Sequence, residues 1–98
     1  MTWSLTIEPE AEADLVRAKA WYDDQTPGWG SVFLDQAEKT FALIVSQPRL
    51  FPVVRRRTRI VTVDRFSYGI LYRIDGDRIN VLAVYHLRSD LKSWQERL

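Results

Sequence analysis

Hydrophobic and polar positions change their spacing three times along the chain. Residues 3–7 alternate apolar and polar side chains, which is typical of a short strand with one buried face. Residues 9–24 then carry apolar side chains every three or four positions after a proline, so a first helix is predicted there. The prolines and glycines of residues 26–30 end it, and a second helical stripe runs from Leu34 to about Pro48. The two helices are predicted to form an antiparallel hairpin.

Beyond Pro52 the spacing becomes that of strands and stays so. Residues 57–63, 68–74 and 78–86 are predicted as three strands, and the Asp-Gly pair at 75–76 suits a tight hairpin turn between the last two. The final strand is apolar at successive positions, so it is predicted to lie inside the sheet with both faces covered. Asp90 can cap a short C-terminal helix.

These elements predict an α+β domain with an N-terminal strand, a helix hairpin, a three-stranded antiparallel sheet and a short C-terminal helix. At 98 residues, of which 46% are hydrophobic, the chain is predicted to form one domain over residues 1–98. It has no cysteine and a single histidine, which excludes disulfides, thiol nucleophiles and multi-histidine metal sites. No secretory signal and no long apolar run are visible, so a cytoplasmic location is expected.

Charge is distributed unevenly although the formal net charge is only +1. Residues 8–24 are acidic, and we interpret the first four acidic side chains, Glu8, Glu10, Glu12 and Asp14, as favourable partners of the helix dipole. Residues 49–78 carry eight arginines. Guanidinium groups match phosphate and carboxylate alike, so this half could contact either, or be a solvated basic surface.

Several segments in a fixed order carry a resemblance to a known family. They are Ala18-Lys19-Ala20-Trp21-Tyr22, Gly28-Trp29-Gly30, Arg65-Phe66 with Tyr68, Ile70 and Tyr72, Val81-Leu82-Ala83-Val84 with His86, and Trp94. Their order and spacing resemble the ParE/RelE family of bacterial toxins, the toxic halves of type II toxin-antitoxin pairs, also known as plasmid stabilisation proteins. The resemblance spans nearly the whole chain and implies the same helix-on-sheet layout.

Within this family some members poison DNA gyrase, and others are ribosome-dependent mRNA endoribonucleases. An RNase needs a proton acceptor, a cation for the phosphate and an acid for the leaving oxygen. Where the RNase branch has a strand arginine this chain has Gly69, and Ser93 or Trp94 stands in place of the late tyrosine. The pattern therefore favours the ParE branch and action on gyrase without turnover, with an RNase as the alternative. Ser89 replaces an arginine of many relatives, so a remnant that only binds antitoxin is a third possibility.

The resemblance also implies site residues, a partner and no cofactor or metal. A cognate acidic antitoxin is expected to form a hetero-oligomer with the chain and to hide its apolar surface and arginines. The RNase alternative would use His86, Arg88, Arg59 and Arg65 as catalytic groups. The gyrase hypothesis assigns target binding to Arg65, His86, Arg88 and Trp94. Antitoxin binding is assigned to Trp21, Tyr22, Trp29, Arg55, Arg57 and Arg59.

Overall fold

A computed structural model describes residues 2–88 and residue 96. The elements in chain order are β1 (Ser4–Ile7), α1 (Pro9–Gln25), α2 (Trp29–Ser46), β2 (Val53–Arg55), β3 (Thr58–Thr62), β4 (Tyr68–Asp75) and β5 (Arg78–His86). The helix hairpin follows β1 as the hydrophobic spacing predicts, but four strands follow it where three were predicted, because β2 was not predicted. The predicted C-terminal helix, with Asp90 and Trp94, lies outside the described residues.

Local sequence signals account for the ends of the helices. Pro9 occupies the first turn of α1, where a missing N–H costs no hydrogen bond. Gly28 adopts a left-handed conformation with φ of 92° just before α2, which suits a residue without Cβ. The two helices then approach closely at Gly30, because a Cβ there would lie 2.6 Å from the Lys19 carbonyl oxygen. Gly30 also donates its N–H to the Asp23 carboxylate at 2.8 Å.

The sheet has five strands in the order β1-β5-β4-β3-β2, so the prediction of a three-stranded antiparallel sheet is wrong. β3, β4 and β5 are antiparallel to one another as expected. However, β1 joins the sheet in parallel beside β5, and β2 extends the other edge. The parallel pairing joins segments about 70 residues apart in sequence, and no local pattern announces it. The prediction that β5 lies inside the sheet is confirmed.

A β-bulge in β5 explains its unbroken apolar run. Leu71 pairs with Ala83, but the next residue, Tyr72, pairs with Val81, which leaves Leu82 as the extra residue. The alternation of faces therefore reverses at this point. Consequently Val81 and Val84 both lie in the helix-packed core, although they are three positions apart.

The sequence interpretation of Asp14 as a partner of the helix dipole does not describe its main contacts. Its side chain is 2% exposed, and its carboxylate accepts the backbone N–H of Val84 at 3.0 Å and pairs with Arg17. The pairing of β1 with β5 ends at Ile7–Val81, so β1 offers no hydrogen-bond acceptor to the Val84 N–H. Asp14, from α1, provides that acceptor. A short anionic side chain on a helix thus fixes the helix to the bulged strand.

The main core lies between the helices and one face of the sheet, which we call the helix face. Its largest fully buried side chains include Tyr72, Phe33 and Ile44. The Tyr72 hydroxyl donates to the Pro48 carbonyl at 2.7 Å and so fastens the end of α2 to the middle of the sheet. Burial raises the pKa of Tyr72, because the phenolate would lose its hydration.

The opposite face of the sheet, which we call the far face, carries a second and smaller apolar cluster. It is built around Leu71 and Ala83, both almost fully buried. Its other members, packed against these two, are Ile60, Tyr85 and Leu87.

Candidate partner-binding surfaces

Aromatic side chains gather where the helix hairpin meets the ends of β4 and β5, a region we call the aromatic end. Tyr22 is at the centre of this group. Its ring centroid lies 5.0 Å from Trp21, 5.4 Å from Phe33 and 4.9 Å from Phe66. Trp29, from the start of α2, reaches Phe66 at 6.0 Å. The Tyr22–Phe33 pair is stacked and the other pairs are edge-to-face, and both arrangements stabilise the rings beyond what area burial alone would do.

The three aromatic residues assigned to antitoxin binding differ in exposure. Trp21 is 52% and Trp29 is 44% exposed, so both offer a large apolar surface to a partner. Tyr22 is half-buried among other rings, and its desolvation raises its pKa. Trp21 and Trp29 can therefore make direct contact with a partner, whereas Tyr22 mainly supports them from below.

Three residues assigned to target binding lie at the same aromatic end. His86 is directly opposite Tyr68 in the β4–β5 ladder, and their rings are 5.2 Å apart. Arg65 is exposed in the β3–β4 turn, and Arg88 is exposed just after β5. A hydrogen bond of 2.7 Å from the Leu87 N–H to the Ser67 carbonyl joins these two segments. The fourth assigned residue, Trp94, lies outside the described residues.

The opposite end of the sheet, where β4 turns into β5 and β2 into β3, is rich in arginine. We call it the arginine end. Arg55 and Arg57 are exposed there, and Arg57 donates to the Ile74 carbonyl at 3.2 Å. β2 forms the adjoining edge of the sheet with Val53 52% and Val54 43% exposed. An unpaired strand edge with apolar and basic side chains can accept an extended segment of another chain.

Arg59 has a different role from its arginine neighbours. Its guanidinium donates to the carbonyl of Arg49 at 3.1 Å and to that of Phe51 at 2.6 Å. These bonds hold the connection between α2 and β2 against the sheet. Part of the donor capacity of Arg59 is therefore used inside the fold.

Gly69 lies on the far face at the aromatic end, and the side chains of neighbouring residues fill the space above it. A Cβ at this position would lie 2.8 Å from Leu87 and 3.1 Å from Ile60. Glycine is thus favoured here by close side-chain packing and not by its backbone conformation, and the methyl group nearest to such a Cβ is the tip of the flexible Leu87 side chain. Apolar atoms occupy the space where a longer side chain at residue 69 would have to go.

The sequence itself matches one toxin family over most of its length. The family model described as ParE toxin of type II toxin-antitoxin system, parDE, matches residues 5–91. The chain belongs to the ParE toxin family. No curated protein has a significant sequence match to this chain.

Solved structures similar to this ParE-family chain include both ParE and RelE systems. The chromosomal ParDE system from P. aeruginosa has a TM-score of 0.76 at 18% identity, covering 85% of this chain and 94% of that chain. The E. coli toxin RelE, solved in the free state as a double mutant, has a TM-score of 0.69 at 15% identity, covering 95% and 93%. The RelBE2 toxin-antitoxin complex from Mycobacterium tuberculosis has a TM-score of 0.57 at 23% identity, covering 88% and 99%. At these identities the likeness shows the shared fold.

The sequence did not predict one feature of this ParE-family fold. At the arginine end of the far face, a cavity of about 240 Å³ is bounded by side chains from β4, β5 and two connecting segments. Its lining residues are Glu8, Arg57, Arg73, Ile74, Asp75, Asn80 and Leu82. The only sequence signal was Arg73, a charge at an alternate position of an otherwise apolar strand.

Among residues 2–88 and residue 96, no three histidine, aspartate or glutamate side chains are grouped to hold a metal ion. Neither helix of the described part is long and apolar enough to cross a membrane.

Proposed function

We propose that this ParE-family toxin inhibits growth by binding DNA gyrase as a protein ligand, without turnover, and that a cognate antitoxin neutralises it. The family supports the toxin role and the antitoxin partner. The choice of gyrase over RNA cleavage rests on one observation about the sheet. Within the sheet, Arg59 lies apart from His86, and apolar atoms lie beside Gly69 on the far face.

The separation of the proposed catalytic groups can be worked out from the strand register. Arg59 pairs with Tyr72, whereas His86 pairs with Tyr68, four residues away along β4. At about 3.3 Å per residue, these two rows are roughly 13 Å apart. Groups that act on one phosphate must all come within about 3 Å of it. The Arg59 guanidinium is also held by the carbonyls of Arg49 and Phe51, so its position in this conformation does not support a shared catalytic centre with His86.

Gly69 supports the same choice on chemical grounds. It stands where the RNase branch has an arginine, and it supplies neither charge nor proton. Leu87 and Ile60 close the space beside it. An RNA phosphate placed there would meet aliphatic carbon, which would remove its hydration without providing a counter-charge.

The aromatic end is better suited to protein contact. It combines two exposed tryptophans with the exposed Arg65 and Arg88, and tryptophan and arginine are the residues most often found at the energetic centres of protein interfaces. We assign target binding to this end through Arg65, His86 and Arg88. Trp94 remains a sequence-based assignment to the same interface.

The antitoxin assignment gains a length requirement from the fold. Its aromatic members pack near Phe66 and Tyr68, whereas Arg57 contacts Ile74, six residues beyond Tyr68 in β4. That distance is roughly 20 Å at the rise of a strand. An antitoxin segment that reaches both groups must therefore contain about 6 extended residues or about 13 helical ones. The exposed edge of β2 would favour the extended form at the arginine end.

The decisive experiment compares two cellular processes and one purified reaction. After induced expression without the partner gene, we expect thymidine incorporation to fall within minutes, while amino-acid incorporation continues. Purified chain should inhibit supercoiling by gyrase, and the antitoxin should reverse this inhibition.

Matched variants test where the target binds. Arg88→Ala should weaken gyrase inhibition at least about tenfold, because hot-spot arginines contribute about 2 kcal/mol or more. Arg78→Ala removes an exposed arginine from the opposite end and should have no effect. Equal loss in both variants would argue against a specific surface at the aromatic end. Translation arrest before any fall in DNA synthesis would overturn the gyrase proposal.

One observation keeps the ribosome-dependent endoribonuclease as the alternative. His86 and Tyr68 lie side by side at the aromatic end, near the turns that carry Arg65 and Arg88. These residue types could supply a proton acceptor and a phosphate-binding cation. If the alternative holds, cleavage of ribosome-bound mRNA should fall on the order of a hundredfold in Arg88→Ala, with antitoxin binding preserved.

A further inference from the structure

We propose that the cavity at the arginine end of the far face is a binding site for a single oxyanion, a carboxylate or a phosphate group. We call it the arginine pocket, and its volume is about 240 Å³. Two arginines, Arg57 and Arg73, are among the residues that line it. The proposal does not depend on the toxin's target, and it shares Arg57 with the surface assigned to antitoxin binding.

Each of the two arginines is held in place by the segment that carries the other. Arg57 donates from Nη2 to the carbonyl of Ile74, the residue after Arg73, at 3.2 Å. Arg73 donates from Nε to the hydroxyl of Thr58, the residue after Arg57, at 3.1 Å. Thr58 is fully buried, so its hydroxyl is a fixed support for Arg73. The two side chains thus lose little further freedom when a ligand binds.

Most N–H donors of Arg57 and Arg73 remain available for a ligand. A guanidinium has five N–H donors, and the contacts above use one from each arginine. Neither Arg57 nor Arg73 forms an ion pair with a carboxylate of residues 2–88. A planar or tetrahedral oxyanion accepts from such forks in bidentate geometry, which is the strongest form of this hydrogen bond.

Backbone strain at the pocket supports a functional origin. Arg57 has φ of 64° and Arg56 has φ of 47° in the β2–β3 turn, where glycine or asparagine would be less strained. Left-handed residues of this kind cost about 1–2 kcal/mol each. The strained turn places Arg57 where it can reach both Ile74 and the cavity.

Two acidic walls restrict which anions can enter. Glu8 and Asp75 line the same cavity as the arginines. Their negative charges oppose a ligand with many phosphates, such as a nucleic acid backbone, but tolerate one anionic group placed between the arginines. Asn80 adds an amide that can both donate and accept. The pocket therefore fits a compact anion or a single acidic side chain.

The test titrates the full chain with inorganic phosphate and, separately, with N-acetylglutamate at constant ionic strength. NMR signals of the arginine Nε–H groups report on the site. We expect saturable shifts at Arg57 and Arg73 with at least one probe, and the stronger probe identifies the source of the oxyanion.

Variants then separate a formed site from general basic charge. Arg73→Gln should lower the affinity at least about tenfold, and Thr58→Val should lower it without changing net charge. Arg78→Gln is the matched control at the same end and should bind within about twofold of the unchanged chain. Glu8→Gln should bind phosphate more tightly, because one like charge is removed.

Two results would overturn the proposal. The first is the absence of saturable shifts with both probes. The second is equal weakening in Arg73→Gln and Arg78→Gln, which would mean that anions only gather around a basic surface. A folded spectrum for each variant is required, and Thr58→Val is the most demanding because its hydroxyl is buried.

Discussion

The contact between Asp14 and the bulged strand β5 gives the sharpest prediction about stability. Asp14→Ala removes a carboxylate that is 2% exposed and leaves the N–H of Val84 without this acceptor at 3.0 Å. A hydrogen bond to a charged group contributes roughly 1.5–3 kcal/mol, and an unpaired buried N–H costs a similar amount. We therefore expect the free energy of unfolding to fall by about 2–3 kcal/mol.

The paired Arg17 should account for little of this loss. Its side chain is 69% exposed, and ion pairs with such a partner contribute about 1 kcal/mol or less. Arg17→Ala should therefore lower the stability by less than about 1 kcal/mol. Asp14→Asn keeps an acceptor oxygen for the Val84 N–H without the charge, so it should fall between the two.

Urea denaturation followed by circular dichroism measures these differences, and thermal melting offers a second measurement. For a domain of this size 1 kcal/mol corresponds to about 4–8 °C in Tm, so Asp14→Ala should melt roughly 8–24 °C lower. Asp24→Ala is the matched control, because Asp24 is exposed on the same helix. If Asp14→Ala were as stable as Asp24→Ala, the carboxylate would not support β5 and the reasoning would fail.

Four further variants test other parts of the structure. Tyr72→Phe should lose about 1–2 kcal/mol in urea denaturation, because the Pro48 carbonyl loses its buried donor. Gly30→Ala should lose about 1–3 kcal/mol in the same assay, since its Cβ would overlap α1, whereas a change at the exposed Ser31 should not.

A hydrogen bond from Lys19 lowers the pKa of Asp23. The stability that this carboxylate contributes is therefore present above its unfolded-state pKa and is lost as pH falls. Asp23→Asn should flatten the acid side of the stability profile. Arg65→Asn should keep or raise the Tm, because φ is 72° there, but should weaken growth inhibition; a lower Tm would mean that Arg65 is structural.

Local chemistry made several parts of this fold predictable. Pro9 marks the start of α1, and Asp75-Gly76 marks the turn between β4 and β5, where Gly76 has φ of 64°. The bounds of β5 agree with the prediction from Arg78 to His86. In each case the decisive residues are neighbours in sequence, so the signal is contained in a few positions.

The features that escaped prediction depend on distant or atypical residues. β2 was missed because its turn to β3 uses Arg56 and Arg57 in left-handed conformations, where turn patterns lead one to expect glycine or asparagine. The bulge in β5 and the burial of Asp14 depend on where β1 ends beside β5, which only the folded sheet defines. The arginine pocket likewise forms only when four segments of the chain come together.

The same strain connects the two proposed binding regions. In residues 2–88, the non-glycine residues with positive φ are Arg56, Arg57 and Arg65, and all three lie in turns between strands. Glycine or asparagine would adopt the same left-handed conformation with a smaller free-energy cost than arginine does. The benefit must therefore come from what the guanidinium contacts. Arg57 lines the arginine pocket and Arg65 lies at the aromatic end, so the strain agrees with the recognition roles that we propose for the two regions.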